Sequence, residues 1–296
     1  MPEIQLFIAT FNRPHLVLNA IHSALNQNCN SFEIIVSDNS VNDDTEKLVS
    51  QIVDKRLSYK KRRPSLPVID HLNAILQDVT AEYFLIFHDD DLMHPDMLNE
   101  LYRNIISDRS LLAIGANAKI ITQGIFPNRV MLKKKYGDLL IRTRDQMVYQ
   151  YLVKRGIVPF SSYLYRSDVA KKLRFDPENG GKHCDLAFMI DVASMGNVLM
   201  LRKPLMDYFI SSAQDSSVNE FLHRIKLINY ITKTSIYKKN CYLIRRFRVV
   251  NLYYEIIQDK RNKHLISYKR RLRILKLIFK VSPFDFFPRS VLHLIK

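Results

Sequence analysis

The apolar run Tyr83-Phe84-Leu85-Ile86-Phe87 carries four polar residues, His88-Asp89-Asp90-Asp91, on its C-terminal end. Five consecutive apolar residues read as a strand buried on both faces, the character of strands in a parallel sheet. Parallel strands need crossover connections, so helices must alternate with them. Three carboxylates crowded at the end of such a strand repel one another, and a divalent cation placed among them removes that repulsion. Mg²⁺ or Mn²⁺ is the expected ion. Hard ions of this kind take one or two carboxylates and leave the remaining positions to phosphates and water, so a nucleoside diphosphate is the expected ligand. A solvated Asp-rich turn is the alternative reading of these four residues in isolation.

The rest of the first 120 residues supplies the alternation. Ile4–Thr10 reads as a strand that stops at Phe11-Asn12-Arg13-Pro14, and Pro14 suits the first turn of a helix reaching about Gln27. Residues 32–37 form a second strand ended by Asp38-Asn39-Ser40, and residues 42–46 supply cap-type residues and early acids for a helix to about Val53. A short strand at residues 57–59 and a helix opened by Pro67 precede the acidic strand. A helix opened by Pro95 and a fifth strand at residues 111–116 follow it. Ligands of such sheets bind outside the carboxyl ends of the strands. Three of those ends carry polar clusters here, at residues 10–13, 38–40 and 88–91.

Beyond Lys119 the pattern loosens. Lys133-Lys134-Lys135 marks an exposed loop between short strands, residues 143–155 read as helix, 160–165 as extended chain and 167–173 as a short helix. After Gly180-Gly181, the spacing of Leu186, Met189, Ile190 and Ala193 predicts a helix over Cys184–Met195, ended by Gly196. Residues 197–201 and 205–210 are expected as two closing strands.

Charge separates the C-terminal region from the rest. From Phe221 to Lys296 the chain holds 19 Lys and Arg against Glu255, Asp259 and Asp285, so the formal excess of +16 lies wholly in this tail. Self-repulsion works against compaction unless an anionic partner or counterions meet it. Nucleic acid and an anionic membrane are the two candidates, and without a zinc-finger or RNP-like motif no nucleic acid is expected. Leu265, Tyr268, Leu272, Leu275 and Phe279 fall at spacings of three and four, with Lys269, Arg270, Arg273, Lys276 and Lys280 largely off that stripe. Basic amphipathic helices of this kind lie in the interface of anionic bilayers; packing of the stripe on the protein itself is the alternative. No run of about 18 uncharged apolar residues offers a spanning helix. Met1-Pro2-Glu3-Ile4 lacks the basic-then-apolar pattern of a signal peptide. Cys29, Cys184 and Cys241 form no C-x-x-C pair, which argues against a disulfide framework or zinc ribbon, and His183 beside Cys184 has no second ligand pair. A cytoplasmic protein, peripheral on the membrane, is the expectation.

Four segments, spread over about residues 4–217, together resemble the family-2 glycosyltransferases of the GT-A fold. Ile8-Ala9-Thr10-Phe11-Asn12-Arg13-Pro14 is similar to that family's "PTYNR" strand end, and Val36-Ser37-Asp38-Asn39-Ser40 to its "VDDGS" segment. Phe87 to Pro95 resembles the DXD region, and Cys184-Asp185-Leu186, with Gly196 eleven residues after Asp185, resembles the "ED…LR…G" helix. The resemblance implies an α/β fold: a Rossmann-like, mostly parallel sheet flanked by helices, with a basic helical C-terminal extension. Residues 1–217 would be the catalytic domain, its nucleotide-binding half ending about residue 118 and its acceptor-side half covering 119–217, and residues 218–296 the extension. It further implies an inverting, metal-dependent transfer of a hexosyl or N-acetylhexosaminyl group from a nucleotide-sugar donor, expected to be a UDP-sugar, to a hydroxyl of a glycan. Bacterial enzymes of this likeness often extend lipid-linked glycans at the cytoplasmic face of the inner membrane, so O-antigen or capsule synthesis is the expected setting.

In the same terms Asp185 is the expected catalytic base and Asp38 the acceptor for a uracil N–H. Thr10 and Asn12 would present polar groups to the nucleotide, Arg13 would counter phosphate charge, and Asp70 and Asn73 would contact the donor. His88 stands where the first Asp of an Asp-x-Asp-Asp run usually falls, so metal ligation is expected at Asp90 or Asp91, with Asp89 near the ribose or diphosphate. Cys184 replaces the usual Glu before the base, and Ser211 a usual His. Two other readings remain at this point: a nucleic-acid-binding protein using the tail, and a non-catalytic sugar-nucleotide-binding assembly subunit.

Overall fold

The computed structural model describes residues 2–122, 128–133, 137–154, 156–210, 220–261 and 268–281. Its first half alternates as β1 (Ile4–Thr10), α1 (Pro14–Leu25), β2 (Phe32–Asp38), α2 (Asp44–Val49), β3 (Leu57–Lys61), α3 (Val68–Asp78) and β4 (Tyr83–His88). β5 (Leu92–Met93), α4 (Met97–Ser107) and β6 (Leu111–Thr122) follow, then β7 (Arg129–Val130), β8 (Leu139–Ile141) and α5 (Arg144–Tyr149). After β9 (Tyr163–Arg166) and α6 (Ser167–Lys172) come α7 (Cys184–Met195) and β10 (Asn197–Ile210). Three helices close the described chain: α8 (Glu220–Thr234), α9 (Tyr242–Arg261) and α10 (Tyr268–Val281).

The strands make one sheet, ordered β3-β2-β1-β4-β9-β6-β10-β5, with β7 on β6 and β8 on β10. β3, β2, β1 and β4 are mutually parallel, with the apolar runs of β1, β2 and β4 inside and the half-exposed β3 at the sheet's margin, and β6 runs parallel to β10. Register places the polar clusters at one edge: Thr10 pairs with Asp38, and Ala9 with His88. Beneath that edge Leu6, Ile8, Ile34, Val36, Leu85 and Phe87 are buried with Val17 and Ile21 of α1. The packed core therefore ends where the polar residues begin.

Several expectations are corrected. The two closing strands are one strand, β10, continuous through Pro204, because register shifts around Leu201, Pro204 and Met206 absorb the residue that cannot donate to the ladder. Residues 160–162 form a 3₁₀ turn before β9, and β9 inserts antiparallel between β4 and β6. β3 extends to Lys61 and β6 to Thr122. The helix over 143–155 is α5 followed by a π-helical turn at Gln150–Lys154. Lys134 and Lys135 lie outside the described residues.

The chain divides into two compact units. The first contains Met1–Met147, Gly156–Asp176 and Phe188–Asp215, and with them the whole sheet. The second contains Val148–Arg155, Pro177–Ala187 and Ser216–Lys296, so Asp185 belongs to it. Within the second unit α10 packs on α9, where Ile274, Leu275 and Ile278 bury against Val249 and Leu252. The expected stripe on α10 is thus rotated: Leu275 is buried, Phe279 is exposed, and Ile274 and Ile278 take the inner face. Among the described residues no helix is long and apolar enough to cross a membrane.

Candidate active site

The acidic turn sits where β4 leaves the sheet, and residues from the end of β1 meet it. Thr10 Oγ1 donates to Asp89 Oδ2 at 2.7 Å, and Arg13 Nη1 lies 3.2 Å from Asp89 Oδ1 and 3.1 Å from Asp90 Oδ2. Arg13 is 41% exposed, Asp90 19% and Asp89 6% at their side chains, so the pairing opens from a buried to a solvent-facing acid. Burial raises the Asp89 pKa, against the hydrogen bond from Thr10 and the charge of Arg13. Asp91 is fully buried; its Oδ2 accepts from Ser161 Oγ at 2.8 Å and its Oδ1 from the Phe209 N–H at 3.2 Å. Its pKa is raised chiefly by burial, with the neighbouring charge of Asp90 adding to the effect. A carboxyl held this way gains from a cation beside it.

The turn after β1 explains its own sequence. Asn12 has φ of 54°, a left-handed conformation that Asn tolerates better than most residues. Its N–H donates to Ser40 Oγ at 2.7 Å and its Oδ1 accepts from the Val41 N–H at 3.1 Å, which ties the ends of β1 and β2 together.

Asp38 is engaged at both oxygens. It is wholly buried; Oδ1 accepts from the Ser40 N–H at 2.8 Å, while Oδ2 accepts from Tyr59 Oη at 2.5 Å and from Lys61 Nζ at 3.2 Å. Next to it, Ser37 Oγ receives Arg62 Nε at 3.1 Å and Nη2 at 2.9 Å, and lies 2.8 Å from His71 Nε2. Arg62 also pairs with Asp78 at 2.6 Å. Asn73 is likewise engaged: its amide donates to the Phe175 carbonyl at 2.9 Å and accepts from the Phe175 N–H at 2.8 Å, tying α3 to the chain after α6. Asp70 is exposed in the first turn of α3.

The structure therefore joins Thr10, Arg13, Asp89 and Asp90 directly, and gives Asn12, Asp38 and Asn73 structural partners of their own. Sequence reasoning missed Tyr59, Lys61, Arg62, His71 and Ser161. The one legible signal among them was basic residues running past the end of a short strand.

The donor set of the acidic turn fits a divalent cation. Ligand atoms of His88, Asp90 and Asp91 lie within 4.8 Å of one another, and they offer hard carboxylate oxygens with one imidazole nitrogen. Asp185 stands in the first turn of α7, where the helix dipole favours an anion, and its Oδ1 accepts from the Leu186 N–H at 2.8 Å. Ser211 lies outside the described residues.

Comparison with known proteins identifies the family and the fold. The model of the family described as Glycosyl transferase family 2 matches residues 6–173, more than half of the chain. An uncharacterized glycosyltransferase of Haemophilus influenzae is 24% identical over 281 residues, covering 90% of this chain and 84% of that protein. The GalNAc(5)-diNAcBac-PP-undecaprenol beta-1,3-glucosyltransferase of Campylobacter jejuni is 32% identical over 193 residues, 63% of this chain and 59% of its own length. Among solved structures, residues 1–349 of S. aureus TarS, in complex with UDP-GlcNAc, superpose with a TM-score of 0.66 at 15% identity, covering 95% of this chain and 82% of that one. The mannosyltransferase PcManGT from Pyrobaculum calidifontis, in complex with GDP-Man and Mn²⁺, gives 0.61 at 14%, covering 99% and 85%. At such identities the structural likeness is one of fold, the mostly parallel GT-A sheet with its flanking helices. With the family matched over most of the sheet and the acidic turn at the sheet's carboxyl edge, the chain belongs to glycosyltransferase family 2.

Proposed function

We propose that the protein is a metal-dependent, inverting glycosyltransferase that moves a hexose or N-acetylhexosamine from a UDP-sugar to a hydroxyl of a lipid-linked glycan, in bacterial O-antigen or capsule synthesis. The observation that carries the reading is the convergence of Thr10, Arg13, Asp89 and Asp90 on one turn at the carboxyl edge of the sheet. His88, Asp90 and Asp91 would hold Mn²⁺ or Mg²⁺, which when bound neutralises the charge of a departing diphosphate. Asp89 and Arg13 flank that position and orient the ribose and diphosphate, while Asn12 keeps the β1 turn in place and Asp70 contributes from α3. Asp38, whose Oδ2 is held by Tyr59 and Lys61, accepts the uracil N–H. Asp185 takes the acceptor's hydroxyl proton as the oxygen bonds to the anomeric carbon; the bond from that carbon to the phosphate oxygen breaks on the opposite face, and its electron pair leaves with the diphosphate. One such displacement inverts the anomeric configuration.

The choice of donor and acceptor is supported by the UDP-GlcNAc bound to TarS and by the undecaprenol-linked acceptor in the name of the Campylobacter relative. A membrane role suits the second unit. On α10, Arg273, Lys276, Leu277 and Lys280 are exposed at helical spacing, with Phe279 beside them, so basic residues surround exposed apolar ones. Such a face would hold the protein peripherally at the cytoplasmic side of an inner membrane. The test is transfer from UDP-glucose and UDP-GlcNAc to undecaprenyl-diphosphate-linked glycans with Mn²⁺, with the product's anomeric configuration read by NMR. A retained configuration, or turnover untouched by chelator and by Asp90→Asn, would defeat the proposal.

A further inference from the structure

We infer that the sheet edge opposite the acidic turn carries a second, non-catalytic site, a cleft that binds a neutral glycan. The inference rests on the walls of the cleft and on membership of the family, not on the donor, metal or base proposed above.

Position separates the cleft from the transfer chemistry. β4 runs from Tyr83 to His88, and at about 3.3 Å per residue its two ends stand about 17 Å apart. The acidic turn leaves from the His88 end, whereas Tyr83 lies in the wall of a cleft of about 360 Å³. Arg166, the last residue of β9, pairs with Tyr83 across the ladder, and α4 with the chain just after it closes the other side. That volume lies at the lower end of the range for small-ligand pockets.

The walls are set before a ligand arrives. The Tyr83 and Tyr102 rings meet edge to face at 5.6 Å, and Ile105 of α4 is buried. Arg166 Nη2 is fixed on Asp168 Oδ2 at 2.6 Å, and its Nη1 on the Arg109 carbonyl at 3.0 Å. The guanidinium of Arg109 itself has no hydrogen bond or ion pair among the described residues. It is a donor fork at the rim, free to take an acceptor.

Charge then selects the ligand class. Glu82 stands in the wall, Glu3 beside the Tyr102 hydroxyl and Asp168 beside Arg166, so an anion meets three carboxylates. A cation meets Arg109 and Arg166. A wholly apolar molecule covers these charged groups and gives them no partner, which is costly. A sugar hydroxyl donates and accepts at once, so it satisfies guanidinium N–H and carboxylate oxygen alike. The C–H face of a pyranose is apolar, and Tyr102 with the 46% exposed Ile106 offers it a matching surface. A chain of neutral sugars answers every wall. An acceptor long enough to span both edges, once anchored here, would return its reacting end to the acidic turn at raised effective concentration.

The experiment uses the full chain with maltotetraose, chitotetraose and lacto-N-tetraose as probes, read by saturation-transfer difference NMR. The expected result is binding of at least one of them, weakened about tenfold or more by Arg109→Ala and by Ile106→Asp, with UDP affinity changed by less than about twofold. Both positions are exposed, so these variants keep the fold, which their thermal midpoints verify. Asp90→Asn, at the other edge, leaves tetrasaccharide binding unchanged, so failure of the metal-dependent reading and failure of this one are told apart. Binding by none of the three, or binding that survives both cleft variants, overturns the inference. Tighter binding of a hyaluronan tetrasaccharide, which carries carboxylates, than of every neutral probe overturns it as well.

Discussion

Thr10 Oγ1 lies 2.7 Å from Asp89 Oδ2, joining the last residue of β1 to the first acid beyond β4. Both side chains are buried, and the hydroxyl, together with the charge of Arg13, opposes the rise that burial gives the Asp89 pKa. Thr10→Val keeps the shape and removes the donor. The expected loss is about 1–3 kcal/mol of stability, read as a lowered urea midpoint at unchanged slope, together with weaker nucleotide binding. An unaltered midpoint would mean that Asp89 is satisfied without Thr10.

Ser37 and His71 give a pH dependence with a definite sign. Ser37 Oγ accepts twice from Arg62, so its one hydrogen goes to His71 Nε2 and the imidazole is neutral. Burial first, and Arg62 second, lower the His71 pKa from 6.5 to about 4. Above pH 6.5 neither folded nor unfolded chain protonates this group and stability is complete in this respect. As pH falls from 6.5 to about 4 the unfolded chain takes up a proton that the folded one refuses, and up to about 3 kcal/mol is lost. His71→Gln removes this component, so the difference between urea midpoints at about pH 7.5 and pH 4.5 should shrink.

Asp185→Asn retains size and polarity while removing the proposed proton acceptor. Turnover should fall by about 10²–10⁴-fold, with UDP affinity unchanged within about twofold. Calorimetric titration of UDP and steady-state kinetics separate the two quantities, and a normal turnover number would eliminate Asp185 as the base.

The proposed membrane binding by α10 is expected to depend on its outer face. Each basic residue near an anionic surface contributes on the order of 1 kcal/mol, so Arg273→Gln, Lys276→Gln and Lys280→Gln combined should weaken partition onto phosphatidylglycerol vesicles by on the order of 100-fold. Ile278→Ala, on the inner face against α9, should instead destabilise the second unit by about 2–5 kcal/mol. Equal partition of the triple variant and the parent in a vesicle-sedimentation assay would exclude the face as a lipid surface.

Much of the fold was legible because burial on both faces leaves a local mark. β1, β2 and β4 appear as short apolar runs with helical segments between them, and each run stops at residues unable to enter a core. The π-helical turn, the insertion of β9 and the single course of β10 left no such mark. A strand's own residues do not state which neighbour it pairs with or in which direction, and Pro204 suggests a break unless a bulge accommodates it.

The site divides in the same way. Local sequence determined that Thr10, Arg13 and the acids from Asp89 to Asp91 stand at strand ends, because periodicity and the stop of each apolar run are properties of neighbouring residues. Tertiary structure alone decided that Asp38 is enclosed by Tyr59 and Lys61, that Ser37 is shared by Arg62 and His71, and that Ser161 reaches Asp91 across 70 positions of chain. A hydrogen bond depends on positions within a few tenths of an ångström, and between residues far apart in sequence those positions are set only when the strands and helices carrying them pack together.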